Sequence, residues 1–454
     1  MTLFRSKRKT NSSSNALIIF TREPVACKTK TRLMPYYTPE QCAMLHKCFI
    51  RDIAKEMKSA DADIVVAYTG GEPAFLRKVF GRSTFFIEQK GSDIGERMKN
   101  AIADALSLGY EKAVLVGTDI PELEAETIDT AFTMLDASDA VIGPTEDGGY
   151  YLIGMKQVLD EPFEVKLYGT DTVYAETTAF MRNAGIVTEE VEPYSDIDTP
   201  EDLAGFRSRM REDAHLRHTR TGRFIAETAK ISVIVPVFNE AATIEGLLRQ
   251  LEHYGDECEV IIVDGGSTDG TLKKIGGRFR VIQSSKGRGP QMNAGAMESS
   301  GDILFFLHCD SRLPEYFVRE IRKCMMTCDY GCFGVKFPSR NFFMLTNRII
   351  SNHRAAVRGL PFGDQGIFID RRLFFEVGMF PEIPVMEDYA FARKMRRYGY
   401  KPGMTGHRIE TSARRYGSGT LSILKTEFRM WDLRRRFRKG DEPESIASKY
   451  TDIR

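Results

Sequence analysis

Short apolar runs, separated by longer stretches of helical periodicity, set the plan of the chain. Ala16 to Phe20 (ALIIF) is the first run, and DIVVAY, AVLVGTD and AVIGPTEDGGYYLIG follow it in the first half. After Lys230, ISVIVPVFNE opens a second series that continues with CEVIIVDGG, DILFFLHCD and GDQGIFID. Runs of this length, bounded by turn residues, predict buried strands, and their alternation with helical stretches predicts parallel βαβ units with right-handed crossovers. Because the same order of elements appears twice, the expected fold class is α/β, with two tandem Rossmann-like domains. The 454 residues are too many for one ordinary core and suit two of roughly 200 each. The expected organisation is a disordered basic tail over 1–15, a first domain over 16–216, a linker over 217–230, a second domain over 231–432 and a basic C-terminal tail over 433–454. The linker is placed where HLRHTRTGRFIAETAK is charged and lacks a clear apolar pattern.

Composition narrows the partners. A formal net charge of +1 argues against nucleic acid as the main one. Nowhere do about 18 apolar residues run consecutively, and MTLFRSKRKTNSSSN lacks the apolar core of a signal peptide, so a cytoplasmic protein is expected. The stretch FRMWDLRRRFRKG mixes aromatic and basic residues; it reads either as a solvated face or as a peripheral contact with anionic headgroups at the inner membrane face. Eight cysteines include Cys324, Cys328 and Cys332, whose spacing of four predicts one helical face and lacks the paired pattern of a zinc ribbon.

The chemistry concentrates at the ends of the apolar runs. Asp264 closes VIIVD and Asp310 closes the run in ILFFLHCDS, and an Asp at the carboxyl end of a buried strand stands in the crevice where open α/β sheets bind ligands. The segment from Ile231 to about Asp432 resembles the family 2 inverting glycosyltransferases of the GT-A fold. The resemblance rests on SVIVPVFNE, VDGGSTDGT, LHCDS and MEDYAFARKMRRYGY, in that order. GDQGIFI is similar, more narrowly, to glycosyltransferases of arsenosugar-biosynthesis type.

That resemblance implies a nucleotide-sugar donor and a small-molecule or lipid acceptor. Glu240 and Asp264 are expected to accept hydrogen bonds from the ribose or base. Asp310 is expected to carry a divalent cation, Mg²⁺ or Mn²⁺, on the diphosphate. The family places Asp-x-Asp there, whereas this chain has His308-Cys309-Asp310, so the first acidic ligand is missing. Glu387-Asp388 matches the catalytic pair: Asp388 would take the acceptor proton and Glu387 would contact the acceptor, although acidic residues also suit a helix N-terminus. Gly363, Asp364 and Gln365 would form the acceptor-side loop. Lys286, Arg288, Arg414 and Arg415 are candidates for contact with the departing diphosphate.

The first half, Ala16 to about Phe206, resembles a group of GT-A-like proteins described variously as glycosyltransferases and nucleotidyltransferases. KTKTRL, GTDIP, GPTEDGGYYLIG and SDIDTPEDL carry the likeness. Lys28, Lys30 and Arg32 follow the first strand, where a phosphate chain would lie. Cys27 stands where the family usually has a glycine. Asp119 ends a strand at the place equivalent to Asp310, and Asp198 resembles the second metal carboxylate of sugar nucleotidyltransferases, so the pair is expected to hold Mg²⁺. Asp198 also reads as part of a helix start, with Thr199 capping and Pro200 at the first position. Asp147, beside Gly148 and Gly149, would contact substrate or metal. The leading expectation is a bifunctional enzyme that makes or handles a nucleotide-activated substrate in its first half and transfers a sugar in its second. Two sequential glycosyltransferases, or a first half kept as a binding module, are the alternatives.

Overall fold

The computed structural model describes residues 13–449 except Arg82, Lys166, Asp256, Arg340 and 413–419, so residues 1–12 of the tail expected over 1–15 and the diphosphate candidates Arg414 and Arg415 lie outside the described residues, and the last residue of that expected tail, Asn15, already belongs to the first strand. The chain divides into two compact units, Met1–Ile225 and Ala226–Arg454.

The strands of the first unit are β1 (Asn15–Arg22), β2 (Asp63–Thr69), β3 (Phe85–Glu88), β4 (Lys112–Val116), β5 (Ala140–Pro144), β6 (Tyr150–Met155) and β7 (Thr188–Glu190). They form one sheet in the order β3-β2-β1-β4-β6-β5-β7. In the second unit, β8 (Ile231–Val237), β9 (Cys258–Asp264), β10 (Arg280–Gln283), β11 (Ile303–Phe306), β12 (Tyr330–Lys336), β13 (Ile367–Asp370) and β14 (Gly403–Glu410) take the order β10-β9-β8-β11-β13-β12-β14. The two orders are the same when the strands of each unit are counted from its own first. Each sheet is mixed: β6 runs antiparallel to β4 and β5, and β13 runs antiparallel to β11 and β12. The purely parallel expectation fails first at AVIGPTEDGGYYLIG, which is two strands. The five residues between them are too few for a crossover, which needs a dozen or more, so the chain must turn back as a hairpin.

Both faces of each sheet are covered. In β1, Leu17 and Ile19 join one core layer while Ala16 and Ile18 join the other. In β8, Ile231, Val233 and Val235 face one layer and Ile234 the opposite one. Every residue of β8 is buried, which is why ISVIVPV reads as a continuous apolar run. Each fully buried Val, Leu or Ile contributes roughly 1.5–3 kcal/mol relative to exposure.

The stretch 217–230, read above as a linker, is mostly helical (Ala214–His218 and Arg220–Glu227), with Leu216, Thr221 and Ile225 buried. These helices are shorter than the window over which periodicity shows. The expected tail over 433–454 is likewise structured through Lys449. One helix runs Thr420–Lys439 without a break at 432, a second spans Pro443–Lys449, and Leu433 and Ile446 pack on Met386 and Tyr389. Cys324 ends one helix and Cys332 lies in β12, so the three cysteines do not share a helical face; all eight are free thiols.

Candidate active sites

In the second unit the loops after β8 and β9 are laced together. Asn239 takes a left-handed conformation at φ 55°. Its N–H donates to Ser267 Oγ at 2.9 Å, and its side-chain oxygen accepts from Thr268 N–H at 2.8 Å. Glu240 N–H donates to Thr271 Oγ1 at 2.8 Å. Gln291 Nε2 donates to the carbonyls of Val237 and Val263, tying the helix Arg288–Met297 to the ends of both strands. That helix can lie this close because residue 295 is glycine: a Cβ there would be 2.4 Å from Ile234 Cγ2. Lys286 and Arg288 are thereby held at the mouth, with the Lys286 ammonium 4.2 Å from the Phe238 ring centre.

A cavity of about 430 Å³ lies beyond, lined among others by Glu240, Lys286, Arg288, Asp310, Asp364, Glu387 and Asp388. Seven of the residues picked out in the sequence thus share one space. Asp388 is the second residue of the helix Glu387–Arg397; its Oδ2 accepts from Gly363 N–H at 2.7 Å and its Oδ1 from Tyr389 N–H at 2.6 Å. Gly363 lies behind this carboxylate, because a Cβ there would be 2.8 Å from His308 Nε2 and 3.4 Å from Asp388 Oδ2. Glu240 accepts from Thr243 Oγ1 and faces the Cys309 thiol. Burial first, then the negative charges of Glu240 and Asp310, push that thiol well up, so Cys309 stays protonated.

Two expected residues are elsewhere. Asp264 is buried, and its carboxylate accepts from the N–H groups of Gly266 and Ser267; a short side chain at a strand end closes its own turn more readily than it reaches outward. Gln365 is fully buried, donating to Phe333 O and accepting from Phe362 N–H and Arg354, so it braces the loop from within. Sequence reading missed the outer wall. Asn347, Ser351 and Arg354 reach it from the helix Phe342–Arg358, and Glu427, Met430 and Arg434 from the helix Thr420–Lys439. Arg354 stacks on Phe362 at 3.4 Å.

In the first unit a cavity of about 470 Å³ gathers Lys28, Lys30, Arg32, Asp119, Asp147, Gly149 and Asp198. Gly148 is beside it and answers to packing: its φ is 88°, and a Cβ would be 2.0 Å from Asp171 O. Thr199 and Asp202 form a capping box with Pro200 at the helix start, so the helix-start reading of SDIDTPEDL holds. It is compatible with Asp198 reaching into the cavity.

The expected metal pair is filled differently. Lys30 Nζ is 2.8 Å from Asp119 Oδ1, 2.7 Å from Asp198 Oδ1 and 2.7 Å from Ile197 O. Its three protons thus find three acceptors. Burial acts to lower the Lys30 pKa, but the two carboxylates outweigh it and raise the value overall. Asp119 is held below the usual carboxylate range against the opposing effect of burial, chiefly by Lys30. An ammonium occupies the place between Asp119 and Asp198 where a divalent cation would go, so this arrangement does not fit a metal there. Among the described residues no three His, Cys, Asp or Glu side chains converge as a metal site in either unit. At Asp310 the single carboxylate does suit a cation that takes its remaining ligands from water and a diphosphate.

His46 was not picked out from the sequence. Its Nδ1 is 2.7 Å from Thr29 Oγ1 and its Nε2 3.2 Å from Thr118 Oγ1, which fixes the residues next to Lys30 and Asp119. Burial, reinforced by the charges of Lys30 and Arg22, depresses its pKa to about 4, so the ring is neutral. Asp196 is pushed up to about 7 by burial and by Asp147 and Asp198.

Residues 232–379 match the family described as Glycosyl transferase family 2, and residues 53–170 match the family described as uncharacterized protein conserved in bacteria (DUF2064). An uncharacterized glycosyltransferase of Haemophilus influenzae is 27% identical over 201 residues, 39% of this chain and 65% of that one. An undecaprenyl-phosphate 4-deoxy-4-formamido-L-arabinose transferase of Proteus mirabilis is 25% identical over 232 residues, 45% and 66% of the two chains. The chain spans just under two thirds of the length of these relatives. A solved structure from Desulfovibrio desulfuricans, assigned as a nucleotide-diphospho-sugar transferase, is 32% identical at a TM-score of 0.45, covering 48% of this chain and 95% of that one. The glucosyl-3-phosphoglycerate synthase of Mycobacterium tuberculosis, solved with Mn²⁺, UDP and glucosyl-3-phosphoglycerate, is 21% identical at a TM-score of 0.34, covering 46% and 80%. The chain is a tandem: a DUF2064 domain matched over residues 53–170 followed by a family 2 glycosyl transferase domain matched over residues 232–379, each within a seven-stranded mixed α/β unit.

Proposed function

We propose that the second unit transfers a sugar from a nucleotide-diphosphate donor to an acceptor hydroxyl with inversion. The observation that carries this reading is a single cavity with Lys286, Arg288 and Asp310 among its lining residues together with Glu387 and Asp388. Asp388 takes the acceptor proton as the oxygen attacks the anomeric carbon, opposite the departing diphosphate. The N–H groups of Gly363 and Tyr389 fix its carboxylate before substrate arrives, which removes a reorganisation step from the barrier. Lys286 and Arg288 stabilise charge on the leaving diphosphate, and Glu240 contacts the nucleoside. Asp310 would hold Mg²⁺ or Mn²⁺, which supplies positive charge to the diphosphate oxygens.

For the first unit we propose a nucleotide-handling role without a metal between Asp119 and Asp198. Lys28 and Arg32 supply the charge for a phosphate chain, and Lys30 aligns the two carboxylates. The test is a screen of the full chain with sugar nucleotides and nucleoside triphosphates. Sugar transfer abolished by Asp388→Asn supports the second-unit reading, and its survival overturns it. Pyrophosphate release from a triphosphate, lost in Lys28→Gln/Arg32→Gln, supports activation in the first unit, whereas a second sugar transfer lost in the same variant points to sequential transferases.

A further inference from the structure

A second hollow, of about 380 Å³, shares Tyr389 with the cavity that holds Asp388 but none of that cavity's other lining residues. Its lining is Arg358, Arg393, Arg396, Arg397 and Arg438, together with Leu360 and Tyr389; no carboxylate lines it. Among the described residues none of the five arginines forms an ion pair. Other arginines of this unit do sit on carboxylates: Arg278 on Glu245, Arg280 on Glu298, Arg372 on Glu376 and Arg436 on Asp432.

Five like charges around one concavity repel one another, so something must offset them. Three helices, Phe342–Arg358, Glu387–Arg397 and Thr420–Lys439, end in or within two residues of these arginines. A helix C-terminus carries roughly half a negative charge, so together they offset about a third of the five positives. The excess is what a multiply charged anion would meet, and guanidinium groups match the oxygens of a phosphate in paired hydrogen bonds. Tyr389 closes the hollow toward Asp388: it is buried, packs edge-on to Phe362 and Phe437, and has Arg393 over its ring.

We propose that this five-arginine hollow is a binding site for a phosphate-bearing ligand, separate from the donor cavity. Its existence does not depend on the sugar-transfer reading. Two sources of the phosphate share this chemistry, a soluble phosphorylated molecule and a lipid headgroup. The second belongs in the test because the helices that carry Arg358 and Arg438 also expose Phe342, Ile349, Val357, Leu421, Phe428 and Trp431.

The experiment compares the full-length chain with Arg396→Gln/Arg397→Gln, at two exposed positions in the last turn of their helix, and with Lys273→Gln/Lys274→Gln, a control of equal charge change on an exposed helix elsewhere. Inorganic pyrophosphate is titrated by calorimetry at low ionic strength in phosphate-free buffer; pyrophosphate held by other cavities is common to all three proteins and cancels in the comparison. In parallel, sedimentation is followed with phosphatidylcholine vesicles with and without phosphatidic acid. The arginine variant should lose one class of pyrophosphate sites, or weaken it by about tenfold or more, while the lysine control matches wild type. If the source is a headgroup, the loss is confined to the phosphatidic acid vesicles. Without ligand, the arginine variant should melt no lower than wild type, since substitution relieves repulsion. Indistinguishable behaviour of wild type and arginine variant in both arms, or an equal loss in the lysine control, overturns the proposal. So does a lower melting temperature of the ligand-free arginine variant, which would make the arginines structural.

Discussion

Lys30 and the two carboxylates it joins should respond asymmetrically to substitution. The Lys30 side chain is only 4% exposed, whereas Asp119 and Asp198 keep 44% and 34% of their exposure toward the cavity. In Asp119→Asn/Asp198→Asn the ammonium stays buried with its charge uncompensated. Stripping the partners from a buried ion costs about 3–5 kcal/mol, and the lower end applies because amide oxygens and Ile197 O still accept hydrogen bonds. In Lys30→Met the stranded charges are those that water already reaches, so the loss is discounted for screening to about 1–2 kcal/mol. Urea unfolding of the full chain at pH 7, followed by far-ultraviolet circular dichroism, reads both from the midpoints at constant slope. The pH dependence adds a sign check. Lys30 depresses the Asp119 pKa, so the pair stabilises the fold above the ordinary carboxylate range and the contribution is lost as pH falls through the depressed value. Wild type and Lys30→Met should therefore differ fully above the ordinary carboxylate range and converge only as pH falls below that range, through the depressed Asp119 value. Equal losses in the two variants at neutral pH, or a larger loss in Lys30→Met, would refute the view that the ammonium is the buried member.

Asp388→Asn should lower turnover by orders of magnitude while the donor dissociation constant is unchanged, as for a group that acts in the transition state; a parallel loss of donor affinity would remove Asp388 from the role of base. Mn²⁺ should bind the wild-type chain through Asp310 when nucleoside diphosphate is present and fail to bind Asp310→Ala, as read by electron paramagnetic resonance; a site that survives Asp310→Ala would show metal held elsewhere. His46 has a folded pKa of about 4 against an ordinary 6.5, so its neutral form contributes stability that is complete above 6.5 and is lost as pH falls toward 4. The wild-type thermal midpoint should therefore drop more steeply than that of His46→Gln across this window, a difference of up to about 3 kcal/mol, and parallel curves would show that the ring is already solvated. Gly295→Ala should destabilise by about 1–3 kcal/mol by overpacking against Ile234, while Gly246→Ala, in a helix with open space around it, should be neutral or stabilising; urea midpoints decide.

What could be read from the sequence follows from how far along the chain each signal extends. The duplicated α/β plan was visible because buried strands such as β1 and β8 leave compact apolar runs, and acids such as Asp119 and Asp310 stand next to the run they close. The antiparallel β6 and β13 were not, since an apolar run carries no direction; only the five-residue turn after Pro144 forbids a crossover. Asp264 and Asp310 look alike in sequence, each an acid at a strand end, yet one is spent on the N–H groups of its own turn and the other lines the cavity. The choice is made by the following residues: Gly266, at φ 90°, turns two N–H groups back onto Asp264, and that geometry is set by backbone rather than by side-chain type. The same reasoning explains Lys30. Three basic residues at alternate positions promise a phosphate site, but the left-handed Lys30 backbone, at φ 48°, turns one of them inward onto carboxylates more than 85 residues away in sequence. The outer wall of the second-unit cavity was hidden for a further reason: the helices Phe342–Arg358 and Thr420–Lys439 expose large apolar residues, so their patterns do not separate an inner from an outer face. Those exposed faces and the arginines at the ends of the same helices are one feature of the fold, and the pyrophosphate and vesicle comparison tests whether they act on the same ligand.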